Sequence, residues 1–364
     1  MKKVLWVLLL LVLIVVAYFL IWPVPVDPVA WEAPENPGLS GPFAANKRLG
    51  GLETLSMGDH HGPEDIALDA EGRIYAATHE GHIVRLQADG SSPEIWAKTG
   101  GRPLGIDFDQ KGNLIVADAY RGLLSIAPDG AVKELATIAD GIAIHYADDV
   151  DVAADGKIYF SDASTKFGAG QCGGTYEASL LDIMEHGGHG RLLVYDPATG
   201  KAKTLLGNLN FANGVAVCHD QRAVLVNETG SYRVVRYWLE GPKKGQSEIL
   251  IEALPAFPDN ISAGLSDRYW IAFVSPRNAI IDRLSAKPFL RKMVQRLPAF
   301  MRPKAVPYGH VIAINDNGEV MEDLQDPSGA YPLNTSLTET EDYLYIGSLV
   351  AQTIARLSKE KAGL

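Results

Sequence analysis

Cysteine is nearly absent from this chain: 364 residues carry two, Cys172 and Cys218. A framework of disulfides or a thiolate metal cluster is therefore excluded as the organising principle. The two could pair in an oxidising compartment, but Cys172 lies in a Gly-rich stretch and Cys218 ends an apolar strand pattern, which suits a buried free thiol. Positive charge is also in deficit. With 33 Lys and Arg against 44 Asp and Glu, the formal net charge is −11, which argues against a general nucleic-acid binder, and nucleic-acid binding is not expected. No phosphate-cradling glycine loop and no G-x-S-x-G nucleophile elbow occurs, which removes the common nucleotide-binding and serine-hydrolase signatures.

What the chain does have is one long apolar run and many short ones. Residues 4–22 form nineteen consecutive uncharged positions after Lys2 and Lys3, enough to cross a bilayer as a helix. The bulky Tyr18, Phe19 and Trp22 at its end leave no clear small-residue cleavage site, so a retained signal anchor is expected rather than a removed signal peptide. Lys2 and Lys3 place the N-terminus in the cytoplasm by the positive-inside rule, and the rest on the periplasmic, lumenal or extracellular side. Three regions follow: an anchor over 1–22, an extended Pro-rich linker over 23–50, and one globular domain over 51–364.

Within that domain the short runs repeat. The stretches at 63–68, 103–108, 147–152, 212–217 and 258–261 each open a strand, followed by a Gly or Asp turn and further short strands. With a last unit near 335–357, six units are counted, at a period of about 40 residues for the regular ones, as in a propeller. The expected fold is all-β, a six-bladed β-propeller, with residues 52–57 supplying the strand that closes the ring. Aligning Ile66, Ile106, Val150, Val215 and Ile261 puts Glu64, Leu104, Asp148, Asn213 and Asp259 at one equivalent point. Three carboxylates and an amide then converge on the propeller axis, with Asn260 beside them. An all-oxygen set suits a hard cation, so Ca2+ is expected as cofactor, Mg2+ or Mn2+ less so, and Zn2+ is disfavoured.

Two insertions, 164–188 and 276–308, join second to third strands and should cover the ligand-bearing mouth as helical lids. Residues 277–304 hold eight Lys and Arg against Asp282 alone, interleaved with apolar residues. Such a segment suits either a membrane interface or a solvated basic helix face. His61 and His145 each stand three residues before a proposed ligand and, with Asp149, are the candidate general bases. His82, His189 and His310 each follow a glycine at a third strand, a turn-like recurrence. Cys172, His186 and His189 are too loosely spaced to make a convincing zinc site.

Several stretches resemble a known group: 62–64, 159–167, 189–193, 211–215, 236–239, 257–261 and 344–348. The chain resembles the propeller superfamily of senescence marker protein/gluconolactonase, paraoxonase and strictosidine synthase. Within it, the likeness is greatest to the branch of strictosidine synthase-like and adipocyte plasma membrane-associated proteins. By that resemblance Glu64, Asp148, Asn213, Asp259 and Asn260 match the central calcium ligands of the hydrolytic members. The resemblance also carries departures. Thr335 stands where strictosidine synthases have a catalytic glutamate, which argues against alkaloid condensation, and Leu104 and Ala119 stand where paraoxonases have a histidine pair. The expected activity is calcium-dependent hydrolysis of an ester or lactone, with a lipophilic small-molecule substrate and the membrane as partners. The other reading is a calcium-stabilised propeller that binds a lipid, a small ligand or an envelope protein without turnover.

Overall fold

The structure, a computed structural model, describes residues 2–364; Met1, the first residue of the expected anchor, lies outside them. Six antiparallel sheets surround one axis, five of four strands and one extended to six by a hairpin at Ile138–Ala139 and Ile142–Ala143. The innermost strands are Ile66–Leu68, Pro103–Phe108, Ala147–Val152, Ala212–Val217, Ala256–Ala263 and Asn334–Glu339. Each repeat forms this unit because three or four short apolar strands cannot bury both faces alone and must stack on neighbours. Buried aliphatic and aromatic residues accordingly run from blade to blade, for instance Ile115, Val150, Phe160 and Leu193 between the second and third.

The last sheet is closed by the first strand. Glu53–Ser56 pairs antiparallel with Thr353–Ser358, Glu53 opposite Arg356 and Ser56 opposite Thr353, as the 52–57 reading requires. The first strand thus fills the outermost place of the last blade and locks the ring.

One irregularity recurs. In five of the six innermost strands the pairing register shifts right after the strand's start, between Ala147 and Val150, Ala212 and Val215, Pro258 and Ile261, Pro103 and Ile106, and Asn334 and Leu337. A bulge turns one side chain out of the pleat. Here the displaced positions include Asp148, Asn213, Asp259, Leu104 and Thr335, which is how successive blades aim the same register point at the axis.

Besides a short C-terminal helix at Lys359–Ala362, four α-helices stand outside the blades among the described residues. α1 (Lys2–Ile21) is apolar after Lys2 and Lys3, has no buried residue and is long enough to cross a membrane. α2 (Thr175–Glu185) belongs to the first insertion, and α3 (Ala279–Arg283) and α4 (Pro288–Gln295) to the second. Residues 23–37 are extended but do not hang free as a spacer. Val26 is buried, Val29 donates to the Glu185 carbonyl at 2.8 Å and Trp31 to that of Ser285 at 3.2 Å. The Trp31 ring stacks on His186 at 3.9 Å. Arg277 holds the Pro34 carbonyl at 2.6 Å and Arg291 holds that of Val29. The linker is sewn between the two insertions because its carbonyls have found buried guanidinium donors.

Candidate functional site

The inner strands begin at one end of the axis, where Glu64, Asp148, Asn213 and Asp259 line the floor of a pocket of about 790 Å³, its open mouth included. The register point two residues upstream supplies the walls: Tyr146, Phe211 and Phe257 all line the pocket. α2 contributes Thr175, Tyr176, Ser179, Leu180 and Ile183, and the second insertion contributes Asn278, Ile281 and residues 303–305. Both insertions therefore roof the mouth, as the strand order predicts.

The floor is dominated by negative charge in a dry setting. Glu64, Asp148 and Asp259 are buried. Burial, and secondarily mutual repulsion, pushes Asp148 and Asp259 well above the usual carboxylate range. Burial raises Glu64 to about 7, against an opposing pull from Arg102. Asn213 donates its amide to Asp259. Oxygens on this floor lack any donor: Asp148 Oδ2 and Asn213 Oδ1 are buried without a partner. Orphaned buried oxygens facing converging carboxylates are costly unless a cation joins them, so this donor set fits an oxygen-coordinated metal. Among the described residues no three His, Cys, Asp and Glu side chains close into a ready-made cluster; the fit depends on amide and carboxylate oxygens together.

Arg102 is the residue the sequence reading missed. It is buried, lies 3.3 Å from Glu64 Oε2 and donates to the Pro103 carbonyl at 3.1 Å. It stands at the wall position of the second blade, two residues before Leu104, so the same register argument carried two residues upstream would have found it. Three carboxylates and one guanidinium leave a formal charge of −2, which one divalent cation neutralises.

The remaining expected residues fall elsewhere. Asn260 borders the recess further along the axis, its side-chain oxygen and nitrogen both buried and unpartnered. Asp149 is corrected outright as a base at the mouth. Its carboxylate accepts the N–H groups of Val150 and of Val215 in the next blade, each at 2.8 Å, and faces that same recess. Asp65 clamps Ile66 and Ile106 in the same way, at 2.8 and 2.9 Å. These carboxylates tie blade to blade. Neither His61 nor His145 lines the pocket: His61 contacts Glu80 at the rim, and His145 lies 3.5 Å from Gln171. Thr335 gives its hydroxyl to the Glu64 carbonyl at 2.7 Å and offers no acid. Leu104 and Ala119 share an apolar cluster with Val26 of the linker. His82 and His310 pair with His60 at 2.9 Å and Asp323 at 3.1 Å respectively, and both cysteines are free.

Six blades closed into a ring, with buried acidic and amide oxygens at the start of the inner strands under a helical roof, define the class: a six-bladed β-propeller with a roofed axial pocket. Family models for strictosidine synthase and for the strictosidine synthase-like N-terminal region match residues 148–242 and 41–86. Rat adipocyte plasma membrane-associated protein is 34% identical over 359 residues, covering 92% of this chain and 93% of that one. Strictosidine synthase-like 6 of Arabidopsis thaliana is 36% identical over 329 residues, covering 87% and 84%. The chain belongs to this strictosidine synthase-like family. Among solved structures, a Xanthomonas campestris gluconolactonase superposes with a TM-score of 0.61 at 16% identity, covering 92% of this chain and 96% of its own. A calcium-binding regucalcin of Agrobacterium tumefaciens gives 0.58 at 12% identity, covering 84% and 93%; both likenesses establish the fold.

Proposed function

We propose that the protein is a membrane-anchored, calcium-dependent hydrolase of lipophilic esters or lactones. The observation that carries this reading is the set of unpartnered buried oxygens at the floor of an apolar, roofed pocket. Glu64, Asp148, Asn213 and Asp259 would hold the ion, and Asn260 lies next in the chain. Ca2+ supplies a Lewis acid able to polarise an acyl oxygen when bound. The gluconolactonase and regucalcin names of the structural neighbours agree in kind with this chemistry.

The chain's own part is positioning and proton transfer. Tyr146, Phe211 and Phe257 bracket an apolar substrate, and the two insertions exclude bulk water, which strengthens charge interactions inside. Within the lining the acceptors for a proton from water are the ring carboxylates. Arg102 engages Glu64 and Asn213 engages Asp259, so Asp148 is the ring carboxylate best placed to take it, through whichever of its oxygens the ion would leave unbound. α1 anchors the domain, with Lys2 and Lys3 on the cytoplasmic side and the propeller across the membrane.

A specific observation favours a second reading. No imidazole lines the pocket, and the two paraoxonase-type positions hold Leu104 and Ala119, an arrangement that also serves a metal-stabilised binder without turnover. A panel of aryl esters and lactones, offered to the full chain with Ca2+ and after chelation, separates the two. Turnover that vanishes on chelation and returns with Ca2+ supports the hydrolase. A tightly held ion with no turnover across the panel establishes the binder.

A further inference from the structure

α4 is built inside out. A helix on a water-soluble surface buries its apolar stripe and shows its charges. In α4 the buried positions are Arg291 and Gln295, with Arg291 1% exposed, whereas Phe289 is 51% exposed and Leu290 beside it also faces outward. The same inversion continues past the helix end, where Arg296 is buried while Phe300, at 77%, and Met301 protrude. The inward guanidinium groups have partners: Arg291 holds carbonyls of Met184 and Val29, and Arg296 those of Phe19 and Trp22. Backbone carbonyls thus hold the inward guanidinium groups, Arg291 Nε alone among their nitrogens being buried without a partner; Val294 packs inward, but Phe289, Leu290, Phe300 and Met301 stay uncovered among the described residues.

Its location identifies the cover. Arg296 grips the carbonyls of Phe19 in α1 and of Trp22 just past its end, at 2.9 and 2.6 Å, and Tyr18 of α1 returns a hydrogen bond to the Arg296 carbonyl at 2.9 Å. The point where α1 leaves a bilayer is thus fixed against the end of α4. Arg283, Lys287 and Lys304 remain exposed around the apolar patch, as cations do around a segment lying among phosphate headgroups. Residues 303–305, immediately after Phe300 and Met301, line the pocket mouth.

We propose that the second insertion is seated in the leaflet that receives α1, with Phe289, Leu290, Phe300 and Met301 among the acyl chains, so that the pocket opens at the lipid interface and its ligand enters from the bilayer. This rests on the anchoring part of the functional reading and not on hydrolysis. It names the source of the substrate: a lipid-dissolved ester or lactone rather than a sugar-derived one from water. Interfacial helices sit about 5–10 Å into the headgroup and acyl boundary, a depth that fluorescence quenching resolves.

The test uses the full chain with Cys172→Ser, since Cys218 is buried. An environment-sensitive fluorophore is attached at Phe289→Cys, Phe300→Cys or Val306→Cys, with Lys111→Cys in a turn on the far face as control. Each is reconstituted into phosphatidylcholine–phosphatidylglycerol vesicles with or without nitroxide-labelled lipid. Labels at 289, 300 and 306 are expected to be quenched several-fold more by lipid-borne nitroxide than the control and to be shielded from aqueous iodide. Iodide quenching at 289 and 300 overturns the proposal. So does shielding from both quenchers, which means a second copy covers the face. Lipid contact at 289 and 300 with iodide access at 306 overturns the entry route. None of these readings involves turnover, so failure here and failure of the hydrolase assignment are separate results.

Discussion

Asp148 and Arg102 carry opposite charges at the pocket floor that offset each other. Asp148 adds a third carboxylate, and Arg102 removes one unit of charge beside Glu64. Asp148→Asn should weaken Ca2+ binding by roughly tenfold, about 1.4 kcal/mol. Adding Arg102→Met to it, which restores a formal −2, should recover most of the affinity, with titration calorimetry as the readout. The two effects are expected to be non-additive because the groups share one ion.

The raised carboxylates also fix a pH dependence. Glu64 is raised to about 7 and Asp65 to about 6 by burial, so between the ordinary carboxylate range and these values the folded state holds more protons than the unfolded one. Stability of the chelated protein should then fall as pH rises from about 4.5 to 7, the opposite of a salt-bridged acid. Ca2+ favours the ionised carboxylates and should flatten this slope. Thermal melting across that range, with chelator and with Ca2+, checks both signs.

Gly105 illustrates a residue whose reason is invisible without its neighbour. A Cβ there would lie 2.3 Å from Asp149 Oδ1 and 2.6 Å from the Asp149 Cα, because the Asp149 clamp passes directly over it. Gly105→Ala should destabilise by about 1–3 kcal/mol, the usual cost of overpacking, measured by denaturant unfolding with Ca2+ present.

At the scale of elements, the linker and the two insertions behave as one roof. Asp27 donates its N–H to Glu185 at 2.7 Å, Lys166 pairs with the same carboxylate at 2.6 Å, and Lys292 pairs with Asp27. Removing residues 1–37 should expose α2 and residues 277–304 to protease, whereas removing 1–22 should leave them largely protected. Limited proteolysis of the two truncations distinguishes a roof held by the linker from one that stands alone. The basic segment itself reads differently in three dimensions. Eight cations suggest a charged surface, yet Arg277, Arg291 and Arg296 turn inward to carbonyls and leave apolar side chains outside.

At the scale of the molecule, the ring is held by clamps between neighbouring inner strands and by the strand Glu53–Ser56 against Thr353–Ser358. Asp65, Asp107, Asp149 and Asp151 each bind an N–H of the following blade, and Thr338 closes back on the Ile66 carbonyl. Ending the chain at residue 352 removes the partner of the closing strand. It should broaden the unfolding transition and expose hydrophobic surface, seen as dye binding and loss of a single cooperative melt.

The sequence by itself determined the blade count, the closing strand, the apolar N-terminal helix and the convergence of Glu64, Asp148, Asn213 and Asp259. These depend on strand periodicity and on one repeated register, both of which are local and legible in order along the chain. Asp149 was misread because a bulge reverses which of two adjacent carboxylates faces the mouth, and a one-residue change of facing is decided by pairing across the sheet. The partner of Arg102, the retreat of His61 and His145 from the pocket, and the inversion of α4 belong to tertiary structure alone. Each is settled by which distant backbone groups needed a donor, and contacts across 38 residues, as between Arg102 and Glu64, or 277, as between Arg296 and Phe19, leave no mark on local pattern.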